Sequence, residues 1–276
     1  MKISLEAVKM VMPGGREALA GVGLEIARGE RVAVIGPSGA GKTTLLRVLG
    51  AALRPSAGHL GIDAADPWRL PRGSLRRLRS RIGRIHQSPP LPPRQRVVTA
   101  VLAGRLGEWG FWKALASLAW PRDIAGAHAA LARLDIAERL FERCDRLSGG
   151  QLQRVGVARV LYQRPELILA DEPVSALDPK LADLAVRELS GEAQTRGVTL
   201  VASLHAVDLA LKWFPRVVGL RDGAVAFDAP PVRVSDAMLR ELYGAETPGL
   251  PTQDYLPVTI PQAGPRHAKG AQPLCR

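Results

Sequence analysis

With 46% hydrophobic and 23% charged residues in 276, the chain can bury the core of one large domain, and it lacks the run of about eighteen uncharged apolar residues that a membrane span needs. Its formal net charge of +12 invites an anionic partner. Yet ten arginines and no acidic residue fall between positions 67 and 107, and outside that stretch 28 basic residues face 26 acidic ones, which excludes a uniformly basic protein.

In chain order, residues 2–8, 19–26 and 31–35 read as strands, separated by turns at Pro13-Gly14-Gly15 and Arg28-Gly29-Glu30. Residue 2 enters a strand pattern directly, with no signal-peptide apolar region. A helix follows residues 36–44, stops at Arg54-Pro55-Ser56-Ala57-Gly58, and leads to a strand at 59–62. A helix at 73–81 leads to a strand at 82–86, after which Pro89, Pro90, Pro92 and Pro93 bar regular structure. Within the arginine-rich stretch Leu75, Leu78 and Ile82 recur at helical spacing, so the arginines read either as the wet face of an amphipathic helix or as a patch for phosphate-rich polymers, an anionic membrane or an acidic partner.

Residues 97–143 are helix-rich, with apolar spacing over 97–106 and 125–134, and read as an inserted helical subdomain. Trp109, Phe111, Trp112 and Trp120 there suit either helix packing or a docking surface. From Leu147 the pattern becomes alternating: helix 151–162, strand 167–170, helix 180–192, strand 198–203, helix 207–213, strands 216–220 and 224–227. Such alternation predicts a parallel sheet with helices on both faces. Residues 245–276, with six prolines, read as a disordered tail. Cys144 and Cys275 form no spacing motif, so neither a disulfide nor a zinc site is expected and the cytoplasm is the default.

Three segments carry chemistry. Gly36-Pro37-Ser38-Gly39-Ala40-Gly41-Lys42-Thr43-Thr44, between a strand and a helix, fits the phosphate-loop pattern G-x-x-x-x-G-K-[ST]. Its backbone N–H groups and the helix N-terminus would hold phosphates, Lys42 would reach the β- and γ-phosphates, and Thr43 would ligate Mg²⁺. Leu167-Ile168-Leu169-Ala170-Asp171-Glu172 delivers two carboxylates at a strand's C-terminal end, where open α/β sheets bind ligands. Neighbouring strand residues point to opposite sides, so Asp171 suits the metal and Glu172 the attacking water. Ser148, Gly149, Gly150 and Gln151 open a helix as a cap and two bared amides, a second anion site.

On these motifs the chain resembles the ATP-binding subunits of ABC transporters, with a signature Leu147-Ser148-Gly149-Gly150-Gln151, a D-loop Ser175-Ala176-Leu177-Asp178, a Q-loop Gln87 and a switch His205. The resemblance covers residues 1–244 and implies an α/β P-loop NTPase fold of ABC type. A RecA-like core (1–88 and 159–228) with a mostly parallel sheet and an N-terminal antiparallel β-region would carry an inserted α-helical subdomain (89–158) and a C-terminal helix (233–244). It also implies a head-to-tail pair with each ATP held between one subunit's phosphate loop and the other's signature. His205 would touch the γ-phosphate, and Gln87 would join the Mg²⁺ and water shell and sense a membrane permease.

Leu102-Ala103-Gly104-Arg105-Leu106-Gly107, Ser203-Leu204-His205-Ala206-Val207-Asp208 and Leu239-Arg240-Glu241-Leu242-Tyr243-Gly244 are similar to the ATPases of phosphonate importers. The expectation is therefore ATP hydrolysis driving phosphonate uptake, peripheral on the cytoplasmic face of the inner membrane, with a permease and, indirectly, a periplasmic binding protein. Two other readings stand beside it: an ABC-type ATPase for another cargo or acting in a soluble phosphonate-cleaving or nucleic-acid assembly, and a nucleotide-gated module without turnover. Residues 50–147 lack sustained heptads, so a nucleic-acid partner is not expected. Two positions depart from the family pattern: Met12 stands where an adenine-stacking Tyr is usual, and His86 where an aromatic precedes Gln87.

Overall fold

The computed structural model describes residues 1–108 and 123–244. The four aromatics Trp109, Phe111, Trp112 and Trp120 and the proline-rich tail lie outside the described residues. The first two strands, β1 (Ile3–Val11) and β2 (Glu17–Ile26), alternate buried and exposed side chains and pair antiparallel. With β4 (Ala57–Ile62) they form a three-stranded sheet in the order β2-β1-β4. Lone alternation of this kind marks a sheet with one wet face.

The second sheet is different in kind. β3 (Arg31–Ile35), β5 (Ile82–Ile85), β6 (Leu167–Asp171), β7 (Thr199–Ser203) and β8 (Arg216–Arg221) are nearly continuous apolar runs, because both of their faces are covered. They run parallel in the order β5-β6-β7-β3-β8, and β9 (Ala224–Ala229) closes the edge antiparallel to β8. Period-two alternation sends Val32, Val34, Leu167, Leu169 and Val201 to one face and Ala33, Ile35, Ile168, Ala170 and Ala202 to the other.

The first face packs on the small sheet together with α1 (Lys42–Leu49) and Leu78 of α2 (Arg72–Ser80). The second packs on α3 (Val97–Leu102), α4 (Ile124–Ala132), α5 (Gly149–Gln163), α6 (Pro179–Arg196), α7 (Val207–Trp213) and α8 (Asp236–Tyr243). Helices therefore lie on both faces, as the alternation predicts, and on the first face the antiparallel sheet shares the cover with α1 and α2. Helix bounds follow local chemistry. Asp178 accepts from the amides of Lys180 and Leu181 at 3.1 Å, Pro179 opens α6, and Gly197 ends it in the left-handed region. A cap of this type stabilises a helix by about 0.5–2 kcal/mol.

Most arginines of the arginine-rich stretch are exposed, as a solvated face requires, yet several hold specific partners. Arg79 donates to the Ala51 carbonyl at 2.8 and 3.0 Å, and Arg84 donates to the Gly50 carbonyl, so two arginines cap the end of α1. Arg81 forks onto Glu166 at 2.5 and 2.6 Å, and Arg105 lies over the Tyr162 ring at 5.3 Å. Arg72, Arg76 and Arg77 remain on the exposed side of α2. Spacing alone could not show this, because a guanidinium reaches backbone carbonyls several residues beyond its own helix.

Candidate nucleotide site

The phosphate loop begins where β3 ends. Ile35 still pairs with Gly219, and at Gly36 the chain turns with φ +151°. A Cβ there would lie 2.0 Å from the Leu220 carbonyl oxygen, and one at Gly41 (φ +102°) would lie 2.4 Å from that of Ala18. Only glycine fits either place. α1 begins at Lys42 with no side chain capping its first turn, which leaves opening amides for a ligand. Gly223, in the β8–β9 turn, walls the loop by donating to Ala40 O at 3.1 Å and accepting from Ala20 N at 2.9 Å.

Lys42 is buried, and its ammonium folds back over the loop to donate to Gly36 O (2.7 Å) and Pro37 O (3.0 Å). Burial pulls its pKa below the ordinary lysine range, and the charges of Glu172 and Asp171 oppose that pull. Arg16 donates to Gly39 O at 3.0 Å across the mouth. The resulting open cleft, of about 290 Å³, has residues 38–44 as its floor, Met12, Arg16 and Ala18 as one wall, and Glu172 at its rim.

The two adjacent acids are separated as expected, though not by strand alternation. β6 ends at Asp171, and Glu172 lies beyond it with φ +47°, a left-handed bend that swings its side chain away. Asp171 Oδ1 accepts from Thr43 Oγ1 at 3.0 Å and from Ser203 Oγ at 2.8 Å. Glu172 has different partners: Oε1 lies 2.5 Å from His205 Nε2, and Oε2 accepts from Gln87 Nε2 at 2.7 Å. Its amide donates to Ser203 Oγ at 3.0 Å, so one serine orients both acids. Gln87 therefore joins Glu172 and His205, and the structure gives it no bond to Thr43 or Asp171.

A hydroxyl and a carboxylate 3.0 Å apart beside a phosphate loop are hard oxygen donors. Among the described residues no group of three or more His, Cys, Asp or Glu is placed to hold a metal alone. One hydroxyl and one carboxylate, with the other positions left to phosphate and water, is the donor set Mg²⁺ prefers.

The signature segment is folded apart from this cleft. Ser148 Oγ accepts from Gln151 N at 3.3 Å while Gln151 Oε1 accepts from Ser148 N at 2.9 Å, a complete capping box at the start of α5. Ser148 and Gly149 are exposed, and neither Gly150 nor Gln151 lines the cleft. Gly150 instead packs on the Ser175-to-Asp178 loop, where a Cβ would lie 2.7 Å from Ala176 O. The fully buried Gln153 ties this helix to the acids, donating to Glu172 O at 2.8 Å and accepting from Ala176 N at 2.9 Å.

Sequence reasoning missed Ser203, Gln153, Gly223 and Tyr243, whose Oη accepts from Gly36 N at 3.2 Å. For Gln153 a signal existed: a polar residue on an otherwise apolar helix face, two positions after the signature.

The family model described as ABC transporter matches residues 19–175, more than half of the chain. The phosphonates import ATP-binding protein PhnC 1 of Cupriavidus necator is 59% identical over 280 aligned positions, covering all of both chains. PhnC 2 of Pseudomonas aeruginosa is 63% identical over 89% of this chain and 92% of its own. Among solved structures, a dimeric ATP-binding cassette in a post-hydrolysis state with ADP and phosphate superposes with a TM-score of 0.72 at 28% identity, over 83% of this chain and 98% of its own. This chain belongs to the ABC transporter family, among its phosphonates import ATP-binding proteins.

Proposed function

We propose that this chain hydrolyses ATP to drive import of phosphonates or related phosphorus oxyanions through a membrane permease. The observation that carries the hydrolytic part is the Glu172 carboxylate at the cleft rim, held by His205 on one oxygen and by Gln87 on the other. The cargo rests on kinship: a relative identical at 59% of positions over the whole chain is named for phosphonate import.

In this reading the loop amides from Ser38 to Thr44 cradle the phosphates. Lys42 leaves the Gly36 and Pro37 carbonyls to meet the β- and γ-phosphates. Thr43 and Asp171 would hold Mg²⁺, which would neutralise phosphate charge, and Gln87 would join that shell. Glu172 takes a proton from water as its oxygen bonds to the γ-phosphorus. The bond to the bridging oxygen breaks, and ADP and phosphate leave. His205 steadies Glu172 and the transferring group.

Because Ser148 and Gly149 are exposed and the whole segment from Ser148 to Gln151 lies outside the cleft, it faces a second copy, head to tail, with each signature closing the partner's nucleotide. The chain divides into a core (1–88 and 159–228), a helical subdomain (89–158) and a C-terminal helix (233–244). Closure of the pair moves the helical part against the permease. Among the described residues no helix is long and apolar enough to cross a membrane, so attachment to its cytoplasmic face runs through that permease.

The test is growth. A strain without this chain should fail on methylphosphonate as sole phosphorus source and grow on phosphate, with rescue by the wild-type chain and none by Lys42→Ala. Undiminished growth on methylphosphonate would sink the cargo assignment.

A further inference from the structure

We propose that Tyr243 is a positioning residue for the phosphate loop, its hydroxyl setting the loop's first peptide and thereby the seat of Lys42. The proposal rests on the reading of this loop as the nucleotide site.

β3 pairs with β7 as far as Val34 and with β8 as far as Ile35, so the Gly36 N–H lies past the last rung on both sides. A buried N–H without an acceptor is costly, and the ladder offers none here. The acceptor is Tyr243 Oη at 3.2 Å, 207 residues away in sequence. The Gly36 carbonyl accepts from Lys42 Nζ at 2.7 Å, so Gly36 is held by Tyr243 on its nitrogen and by Lys42 on its oxygen. The Leu220 carbonyl oxygen occupies the place a Cβ of residue 36 would take, so the peptide held here must be that of a glycine.

α8, which carries Tyr243, is itself fixed to the sheet. Ser235 Oγ caps it by accepting from Met238 N at 3.3 Å, Leu239 and Leu242 are buried, and Arg221 of β8 donates to the Glu241 carbonyl. Burial pushes the Tyr243 phenol up to about 12, opposed by the hydrogen bond from Gly36, so the ring brings no negative charge near the phosphates. Phenylalanine would fill the same space. Packing therefore explains an aromatic ring here, and only the Gly36 peptide explains its hydroxyl.

The experiment is Tyr243→Phe in the full chain. In nucleotide-free protein, the Gly36 amide should exchange with deuterium at least about tenfold faster, with the β6 and β7 amides unchanged. The Kd and KM for ATP should rise by roughly three- to tenfold, the effect of one neutral hydrogen bond, with turnover at saturating ATP preserved. A role confined to holding α8 would instead lower the melting temperature and leave KM alone. Unchanged Gly36 exchange overturns the proposal, and so does faster exchange with an unaltered ATP affinity. Were the wild-type chain to bind no ATP, the nucleotide reading would fall, and the exchange rate would still decide whether Tyr243 holds the loop.

Discussion

Among the described residues two helix starts are glycine-rich, and they are built in opposite ways. At α1 nothing caps the first turn, a buried lysine leans over it, and backbone from β2, β8 and the Gly223 turn encloses it. At α5 the start of the helix satisfies itself through Ser148 and Gln151, and Ser148 and Gly149 are exposed. Both present helix-dipole charge to an anion. Only the first has a lysine and enclosing backbone to hold one; in the proposed head-to-tail pair the second would be a half-site completed by the partner. In that reading one chain carries a receptacle and a lid that do not meet within it.

Variants that separate chemistry from grip sharpen this contrast, and the largest effect belongs to Glu172. Glu172→Gln keeps both its hydrogen-bonding neighbours but cannot take a proton from water. Steady-state hydrolysis should fall by about 10²–10⁴-fold while ATP still binds and the pair accumulates on size-exclusion chromatography. Turnover within a factor of two of wild type would remove Glu172 as the base. Lys42→Ala should act on the receptacle alone. Losing one charged set of phosphate contacts predicts a Kd for ATP raised by roughly 10–150-fold, measured by titration of the isolated chain. An unaltered Kd would mean that the ammonium stays on the Gly36 and Pro37 carbonyls when nucleotide arrives.

Much of this was legible in the sequence because the loop and the acids are local. A glycine pattern between an apolar strand and a helix specifies its own geometry, and Thr43 and Asp171 duly meet at 3.0 Å across 128 residues. Where a residue's role depended on strand order, the sequence was silent. Ser203 orients both acids only because β7 lies beside β6, and Gly223 and Tyr243 reach the phosphate loop only because β8 lies beside β3. Hydrophobic periodicity marks which runs are strands without ordering them. The separation of Asp171 from Glu172 was expected on strand alternation, whereas a positive φ at a non-glycine residue achieves it. No composition rule marks a glutamate for that conformation.

A substitution at Gly150 tests whether the lid depends on its own chain's scaffold. An added Cβ would come within 2.7 Å of Ala176 O, so Gly150→Ala must push α5 away from the Ser175-to-Asp178 loop. The isolated chain should bind ATP with unchanged Kd, since the receptacle is untouched, while hydrolysis falls by about tenfold as the second surface loses its register. Equal loss of ATP affinity in the monomer would break the separation of the two sites.

The smallest expected effect lies in the cap itself. Ser148→Ala removes the acceptor for Gln151 N but leaves Gln151 Oε1 free to accept from the residue 148 amide, so half of the box survives. The loss should be about 1 kcal/mol, a melting point lower by roughly 2–4 °C for a domain of this size, readable by calorimetry without nucleotide. Ser148→Thr keeps the hydroxyl and should restore the melting point. At α1 no such pair of variants exists, because no side chain caps its first turn. If Ser148→Ala leaves the melting point unmoved, the hydroxyl is idle in the single chain and both helix starts are equally open to an anion. A fall of the expected size instead means that closing the pair must first break the Ser148–Gln151 bond, a local cost the phosphate loop does not carry.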